Sequence, residues 1–136
     1  PQLCKLEKFS NVHHLVSTIR GTLRPDTSPL EALRDSFPGG SITGAPKIQA
    51  MGVIAELEPH ARGPYCGAMG YVGFDGQMDT NILIRSSVIK GRDVYFHAGG
   101  GIVADSEAGA EYNETLDKAS GLIAALTDAA AKARTA

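Results

Sequence analysis

Few cysteines, almost no net charge and no long apolar run set the first limits on this chain. Its two cysteines, Cys4 and Cys66, form neither a CxxC pair nor a metal-ligand spacing. They read as free thiols in a reducing compartment. The formal net charge of −2 gives no electrostatic case for nucleic acid or an anionic membrane. No stretch nears the roughly 18 apolar residues of a membrane helix, and there is no signal peptide, so the expected location is cytoplasmic. Internal repeats and flexible interdomain linkers are also missing. The chain opens on Pro1-Gln2-Leu3 without methionine, in text that already reads as folded protein, which suggests a fragment or a processed piece.

What is present supports a folded unit. The 136 residues are 43% hydrophobic and 21% charged, enough for a core and unlike a disordered tract. That length is about one domain.

Periodicity orders the elements. Asn11 to Arg20 reads as a helix, with Val12, Leu15, Val16 and Ile19 on one stripe and Gly21 as its stop. Pro25 to Pro29 is a turn, and Ser28 is placed to cap a short helix running to Ser36 with Pro29 at its first position. Phe37 to Pro46 is a breaker-rich loop. An amphipathic helix then runs from Pro46 to Leu57, with Ile48, Met51, Ile54 and Ala55 as its expected buried stripe. Beyond Pro59 and Arg62-Gly63-Pro64 the period changes to that of strands. Tyr65 to Phe74, Met78 to Ile89 and Val94 to Ala98 are expected strands, joined by turns at Asp75-Gly76 and Lys90-Gly91-Arg92-Asp93. A last helix is expected from Ser106 to Ala125, striped by Ala108, Tyr112, Thr115, Ala119, Leu122, Ile123 and Leu126. Thr127 to Ala136 is expected to fray. The order predicts an α+β fold, an antiparallel three-stranded meander with packed helices on one face.

Several residue groups carry chemistry, each with a plainer alternative. Glu111, Glu114 and Lys118 share one helix face and border the apolar stripe. Two carboxylates there suit a hard cation such as Mg²⁺, which takes one or two carboxylates plus substrate oxygens and waters. The same residues also suit a solvated face with an ordinary Glu114–Lys118 ion pair. Gly99-Gly100-Gly101 is either a set of backbone donors for an anion or a tight strand exit. It matches neither GxGxxG nor a P-loop. Arg85, read as mid-strand beside Ile82 and Ile84, needs a bound carboxylate, Asp79 or solvent to satisfy it. His14 is either an acid or base, or a structural histidine. Ser41 and Thr43 offer hydroxyls to a ligand, and Thr43 equally suits a helix cap. Lys47 opposes the dipole of its helix, so it serves a ligand or points to water. Tyr65 is a phenol donor or a half-buried aromatic.

Taken as ordered blocks, the chain resembles the C-terminal part of the chorismate-utilising enzymes. The blocks are Val12-His-His14-Leu-Val-Ser17, Phe37-Pro-Gly-Gly-Ser-Ile-Thr-Gly-Ala-Pro-Lys47, Gly70-Tyr71, Asp79-Thr80 with Ile82-Leu-Ile-Arg85, Ala98-Gly-Gly-Gly-Ile-Val-Ala-Asp-Ser106 and Glu111-Tyr-Asn-Glu114-Thr-Leu-Asp-Lys118. The resemblance spans nearly the whole chain, from about Leu3 to Leu126, and the second and fifth blocks look most like the aminodeoxychorismate synthase branch.

The resemblance implies a C-terminal segment, residues 1–136, of a chorismate-binding domain, part of a two-subdomain α/β sandwich. It implies Mg²⁺-dependent amination of chorismate to 4-amino-4-deoxychorismate, on the route to para-aminobenzoate and folate. Ammonia would come from a glutamine amidotransferase subunit. A component I segment of anthranilate synthase is the alternative within the family, and a non-catalytic binding or assembly module the alternative outside it. In the family's pattern His14 lies near the departing ring hydroxyl and Ser41 lines the ring pocket. Tyr65, Arg85 and the Gly99, Gly100 and Gly101 backbone hold the enolpyruvyl carboxylate. Glu111 and Glu114 lie near Mg²⁺, with Glu114 the direct ligand, and Lys118 meets a ligand carboxylate. Other Mg²⁺-side glutamates and a Pro-Ile-x-Gly-Thr motif belong upstream in the family and are not in this sequence. The segment is therefore expected to be inactive alone.

Overall fold

The computed structural model describes residues 2–9 and 13–135. Its elements are β1 (Gln2–Lys8), β2 (His13–Thr18), α1 (Pro29–Ser36), α2 (Gly40–Thr43), α3 (Lys47–Leu57), β3 (Ala68–Val72), β4 (Met78–Ile82), β5 (Ser87–Lys90), β6 (Asp93–Phe96) and α4 (Ala108–Thr135). The class is α+β, and the strands pair as antiparallel hairpins.

The first expected helix is instead a strand. Residues 13–18 pair with β1 in the register Glu7↔His14, Leu6↔Leu15 and Lys5↔Val16. The apolar cluster at Leu15 and Val16 fits either period, and the partner strand decides between them, since strand preference follows cross-strand contacts more than intrinsic propensity. Asn11 and Val12, the start of the expected helix, lie outside the described residues.

The next elements follow local chemistry. Ser28 caps α1: its Oγ accepts the Glu31 N–H at 3.3 Å, and its own N–H donates to Glu31 Oε2 at 2.9 Å. Pro29 opens the helix, and the Ser28 N–H holds the Glu31 carboxyl below the usual carboxylate range. The breaker-rich loop holds one turn of helix, α2. Thr43 Oγ1 donates back to the Gly39 carbonyl at 3.1 Å and does not cap α3. Pro46 takes the N-cap position of α3, with no side-chain cap bond. Lys47 Nζ reaches the Ser36 carbonyl at 3.5 Å, at the end of α1 where carbonyls lack helical partners, rather than merely pointing to water.

The sheet region differs from a meander. The Asp75-Gly76 turn closes β3 onto β4, with Gly73 N–H donating to the Gln77 carbonyl at 2.7 Å. The Lys90-to-Asp93 turn closes β5 onto β6. The expected long strand from Met78 to Ile89, however, breaks in two, and β4 and β5 belong to separate two-stranded sheets. Arg85 sits in the break with φ of 51°, a left-handed conformation that ends a pleated ladder. Gly70 in β3 is needed for space: a Cβ there would lie 2.0 Å from the Asp79 carbonyl oxygen. Tyr65 precedes β3, in a turn held by Tyr65 N–H to the Arg62 carbonyl at 3.1 Å.

Helix α4 starts two residues after the expected Ser106 and continues to Thr135, so the residues expected to fray are helical to that point. The alanine-rich run favours this. Ala136 lies outside the described residues. Glu111, Thr115, Lys118, Ala119 and Leu122 form its least exposed stripe, so Glu111 and Lys118 lie within the packed face rather than at its border.

Packing is sparse. Among the described residues only Ala119, 6% exposed, is a buried apolar residue. Ile48 and Met51 of the expected α3 stripe are exposed, Ile48 at 87%. The accessible surface is 11373 Å², against about 6,800 Å² for a compact chain of this mass. Most of the apolar stripe residues predicted from the sequence are thus exposed, Tyr112 and Ile123 of α4 among them.

Candidate functional site

A cleft of about 490 Å³ collects most of the predicted residues. Ser41, Tyr65, Arg85, Gly99, Gly100, Gly101 and Lys118 line it. They arrive from α2, the turn before β3, the β4–β5 break, the segment after β6, and α4. The expected strand positions of Tyr65 and Arg85 are thus replaced by two irregular segments, which bring both side chains to one cavity. Irregular backbone on a regular frame is where binding groups concentrate.

The glycine segment lies against α4. A Cβ on Gly100 would stand 2.9 Å from Glu111 Oε2, 3.8 Å from Lys118 Nζ and 3.9 Å from Glu114 Cδ. The space a side chain would take at Gly100 is thus bounded by both glutamates and the lysine. Tyr65 joins at the other end, where a Cβ on Gly99 would lie 3.3 Å from its phenol oxygen.

Charge in the cleft is unevenly compensated. Lys118 Nζ pairs with Glu114 Oε1. Arg62 is held by Glu58, with Nε donating to Oε2 at 2.8 Å and Nη2 to Oε1 at 2.6 Å. Arg85 has no ion pair or hydrogen bond among the described residues; the expected Asp79 partner is not formed, and the residue is exposed, so solvent meets its guanidinium in the absence of a ligand. A free guanidinium beside a glycine backbone suits a carboxylate.

Glu111 has the other unmet demand. Its Oε1 accepts from Ser106 Oγ at 2.5 Å, while Oε2 is buried without a hydrogen-bond partner. A buried unpaired carboxylate oxygen is costly unless a cation or donor meets it. With Glu114 one turn on, the pair fits one side of a divalent-cation site. No group of three or more His, Cys, Asp or Glu able to hold a metal exists among the described residues. The remaining ligands would have to come from substrate, water or further protein.

His14 is not brought to the cleft. It is exposed on β2, with its ring 5.7 Å from that of Phe9. The sequence reading also missed the wall around Tyr65. His97 stacks on the Tyr65 ring at 5.2 Å and 12°, and the Arg62 guanidinium lies 5.8 Å from its centroid. Burial, then the neighbouring Cys66 thiol, push the Tyr65 phenol above its ordinary value. The hydrogen bond from Arg62 holds the Glu58 carboxyl below the usual range. The Glu58-x-x-x-Arg62 spacing just past a helix end is the one signal that could have pointed to Arg62; His97 carried none.

The family model for chorismate binding enzymes matches residues 1–124. The chain belongs to this family. It is 50% identical over 129 residues to anthranilate synthase component 1 of Geobacillus stearothermophilus, covering 95% of this chain and 25% of that protein. It is 53% identical over 118 residues to aminodeoxychorismate synthase component 1 of Salmonella typhimurium, covering 87% and 26%. The crystal structure of anthranilate synthase component I from Streptococcus pneumoniae superposes with a TM-score of 0.79 at 45% identity, over 87% of this chain and 27% of that one. The chain thus spans about a quarter of the length of these relatives. Relatives of both names match equally well, so the family membership does not choose between them. No helix among the described residues is long and apolar enough to cross a membrane.

Proposed function

We propose that this member of the chorismate-binding family supplies the C-terminal side of a chorismate-aminating active site. The carrying observation is the uncompensated Arg85 in one cleft with Tyr65 and the Gly99–Gly101 backbone. In this reading Arg85 takes the enolpyruvyl carboxylate, with the Tyr65 phenol and the glycine N–H groups as further donors. Ser41 lines the ring. Lys118 exchanges Glu114 for a ligand carboxylate, which frees Glu114 to face a cation beside Glu111. Mg²⁺, when bound, supplies Lewis-acid stabilisation of charge at the leaving C4 oxygen. His14 is kept near the departing hydroxyl on the resemblance alone, since it does not line the cleft.

The proposed product is 4-amino-4-deoxychorismate, with ammonia from a glutamine amidotransferase. The supporting features are the Pro-Gly-Gly-Ser-Ile-Thr-Gly-Ala-Pro-Lys and Ala-Gly-Gly-Gly-Ile-Val-Ala-Asp-Ser blocks. The second reading, anthranilate as product, stays open because relatives of both names match at similar identity, 50% and 53%. Either reaction needs metal-side groups beyond Glu111 and Glu114, so this chain alone is expected to bind without turning over.

Calorimetric titration of chorismate with and without Mg²⁺ tests binding, and an ammonia-dependent turnover assay tests the half-site. The expected result is Mg²⁺-dependent binding and no product. Ordinary turnover by this chain overturns the half-site, and no binding with Mg²⁺ present overturns the assignment of the cleft. Supplying the rest of a relative's domain in trans, then identifying the product by chromatography, decides between 4-amino-4-deoxychorismate and anthranilate.

A further inference from the structure

Two arginines line the cleft, and their surroundings give them different jobs. Arg85 carries an uncompensated charge. Arg62 is already neutralised by both oxygens of Glu58, at 2.6 and 2.8 Å, and so brings little net charge to an anion. Its guanidinium instead lies 5.8 Å from the centre of the Tyr65 ring. A planar guanidinium fixed by a carboxylate fork is a rigid plate for an aromatic ring, which an ammonium on a flexible stem is not.

Tyr65 needs such support. It sits in a tight turn, outside any helix or strand, where regular backbone does not set the direction of the side chain. Its phenol must nonetheless reach the Gly99 backbone, where a Cβ would lie only 3.3 Å from the phenol oxygen. The contacts that orient the ring come from separate segments. Glu58 is the C-cap residue of α3, Arg62 lies in the link that follows, and His97 comes directly after β6. His97 lies nearly parallel to the phenol ring, at 12° and 5.2 Å. Stacked rings hold each other's plane and tilt.

We infer that Arg62, locked by Glu58, and His97 are positioning residues that aim the Tyr65 phenol at the glycine end of the anion cradle. They act through Tyr65 and touch no substrate atom in this role. Arg62 and Tyr65 also line two further cavities, of about 260 and 470 Å³, so the Tyr65 wall has open space on more than one side and is not held by dense packing.

The inference rests on the reading of Tyr65 as a carboxylate donor, so its test has one arm without ligand. In ligand-free protein, the imidazole proton resonances of His97 should be displaced upfield by the Tyr65 ring, and Tyr65→Leu should abolish that displacement. Arg62→Leu should move the Tyr65 ring resonances while far-UV circular dichroism stays unchanged. In the second arm, His97→Ala and Arg62→Leu each raise the chorismate Kd about tenfold in the presence of Mg²⁺. His97→Phe, which keeps a stacking ring, restores affinity to near the parent value. Arg62→Lys does not, because an ammonium offers neither a planar fork to Glu58 nor a flat plate to the Tyr65 ring. In a Tyr65→Phe background the same substitutions should have little further effect. The inference is overturned if His97 shows no Tyr65-dependent shift, or if the losses persist in full without the phenol. Should the parent protein bind no chorismate, the functional reading fails, and the ligand-free spectra still decide whether the brace exists.

Discussion

Gly100 faces the carboxylate of Glu111 with no room for a side chain: a Cβ on the glycine would stand 2.9 Å from Glu111 Oε2. Gly100→Ala must therefore displace either the glycine segment or the carboxylate. Oε2 is the far end of a flexible side chain whose Oε1 is tied to Ser106 Oγ at 2.5 Å, so the expected outcome is a displaced Glu111 carboxylate beside the anion cradle. Calorimetry should show chorismate affinity reduced about tenfold or more, with helix content by circular dichroism unchanged. Unchanged affinity would remove the glycine segment from the site.

Glu111 shows a cost carried at the same contact. Its Oε2 is buried without a partner. Glu111→Gln keeps an oxygen for Ser106 Oγ and removes the charge. Without metal, stability should hold or rise by up to about 1 kcal/mol, read from denaturant midpoints. With Mg²⁺ the stabilisation that ligand binding gives the parent should disappear. A variant that loses stability without metal and still gains it from Mg²⁺ would exclude Glu111 as a cation-facing group.

Gly70 tests how the fold reaches the site. A Cβ at this position would lie 2.0 Å from the Asp79 carbonyl oxygen and 2.7 Å from Thr80 Cα, neither of which can move without breaking the hairpin register. Gly70→Ala should cost about 1–3 kcal/mol, as overpacking does. Amide exchange in β3 and β4 should accelerate more than in β5 and β6, because the two hairpins belong to separate sheets.

Two groups in the Tyr65 wall set opposite pH limits. Hydrogen bonding from Arg62 lowers the Glu58 value, with burial opposing it and the charges of Arg62 and His97 adding to it. That contribution is present above the ordinary carboxylate range, about 4.3, and is lost as pH falls through the lowered folded value. Burial raises the Tyr65 value, followed by the neighbouring Cys66 thiol, so its contribution is full below about 10 and is lost as pH rises through the raised folded value. The Arg62 side-chain N–H resonance should therefore stay unchanged across neutral pH and change only in acid. Tyrosine absorbance should show one phenol ionising later than the others.

The exposed apolar surface predicts loose behaviour. With 11373 Å² accessible against about 6,800 Å² for a compact chain, this chain alone should bind a hydrophobic dye and exchange most amides quickly. Adding the remaining part of a relative's domain should suppress dye binding and make thermal unfolding sharper. A sharp two-state transition by the chain alone would contradict this.

Legibility in the sequence followed the range of the interactions involved. Helix α1 was legible because Ser28, Pro29 and Glu31 determine its start within four residues. The turns at Asp75-Gly76 and Lys90-to-Asp93 were legible for the same reason. The segment His13–Thr18 was misread, since its partner β1 is a tertiary fact and Leu15 and Val16 suit either period. The break at Arg85 was hidden inside the apolar run from Ile82 to Ile89, because composition does not report a left-handed residue. Among candidate site residues, Gly99 to Gly101, Glu111, Glu114 and Lys118 were singled out by spacing, and Ser41, Tyr65 and Arg85 by residue type and local setting, while only the resemblance joined them into one site. The Glu58–Arg62 pair and His97 were not singled out, since their importance appears only once the Tyr65 ring stands between separate segments.

The left-handed turn at Arg85 also constrains how this position can change over generations. Its φ of 51° favours glycine or asparagine, while the cleft calls for a permanent planar cation. A change toward glycine would relax the backbone and silence the charge. A β-branched replacement would fail on both counts. The position is held between two opposing demands, so drift there should be rarer than its solvent exposure alone would suggest.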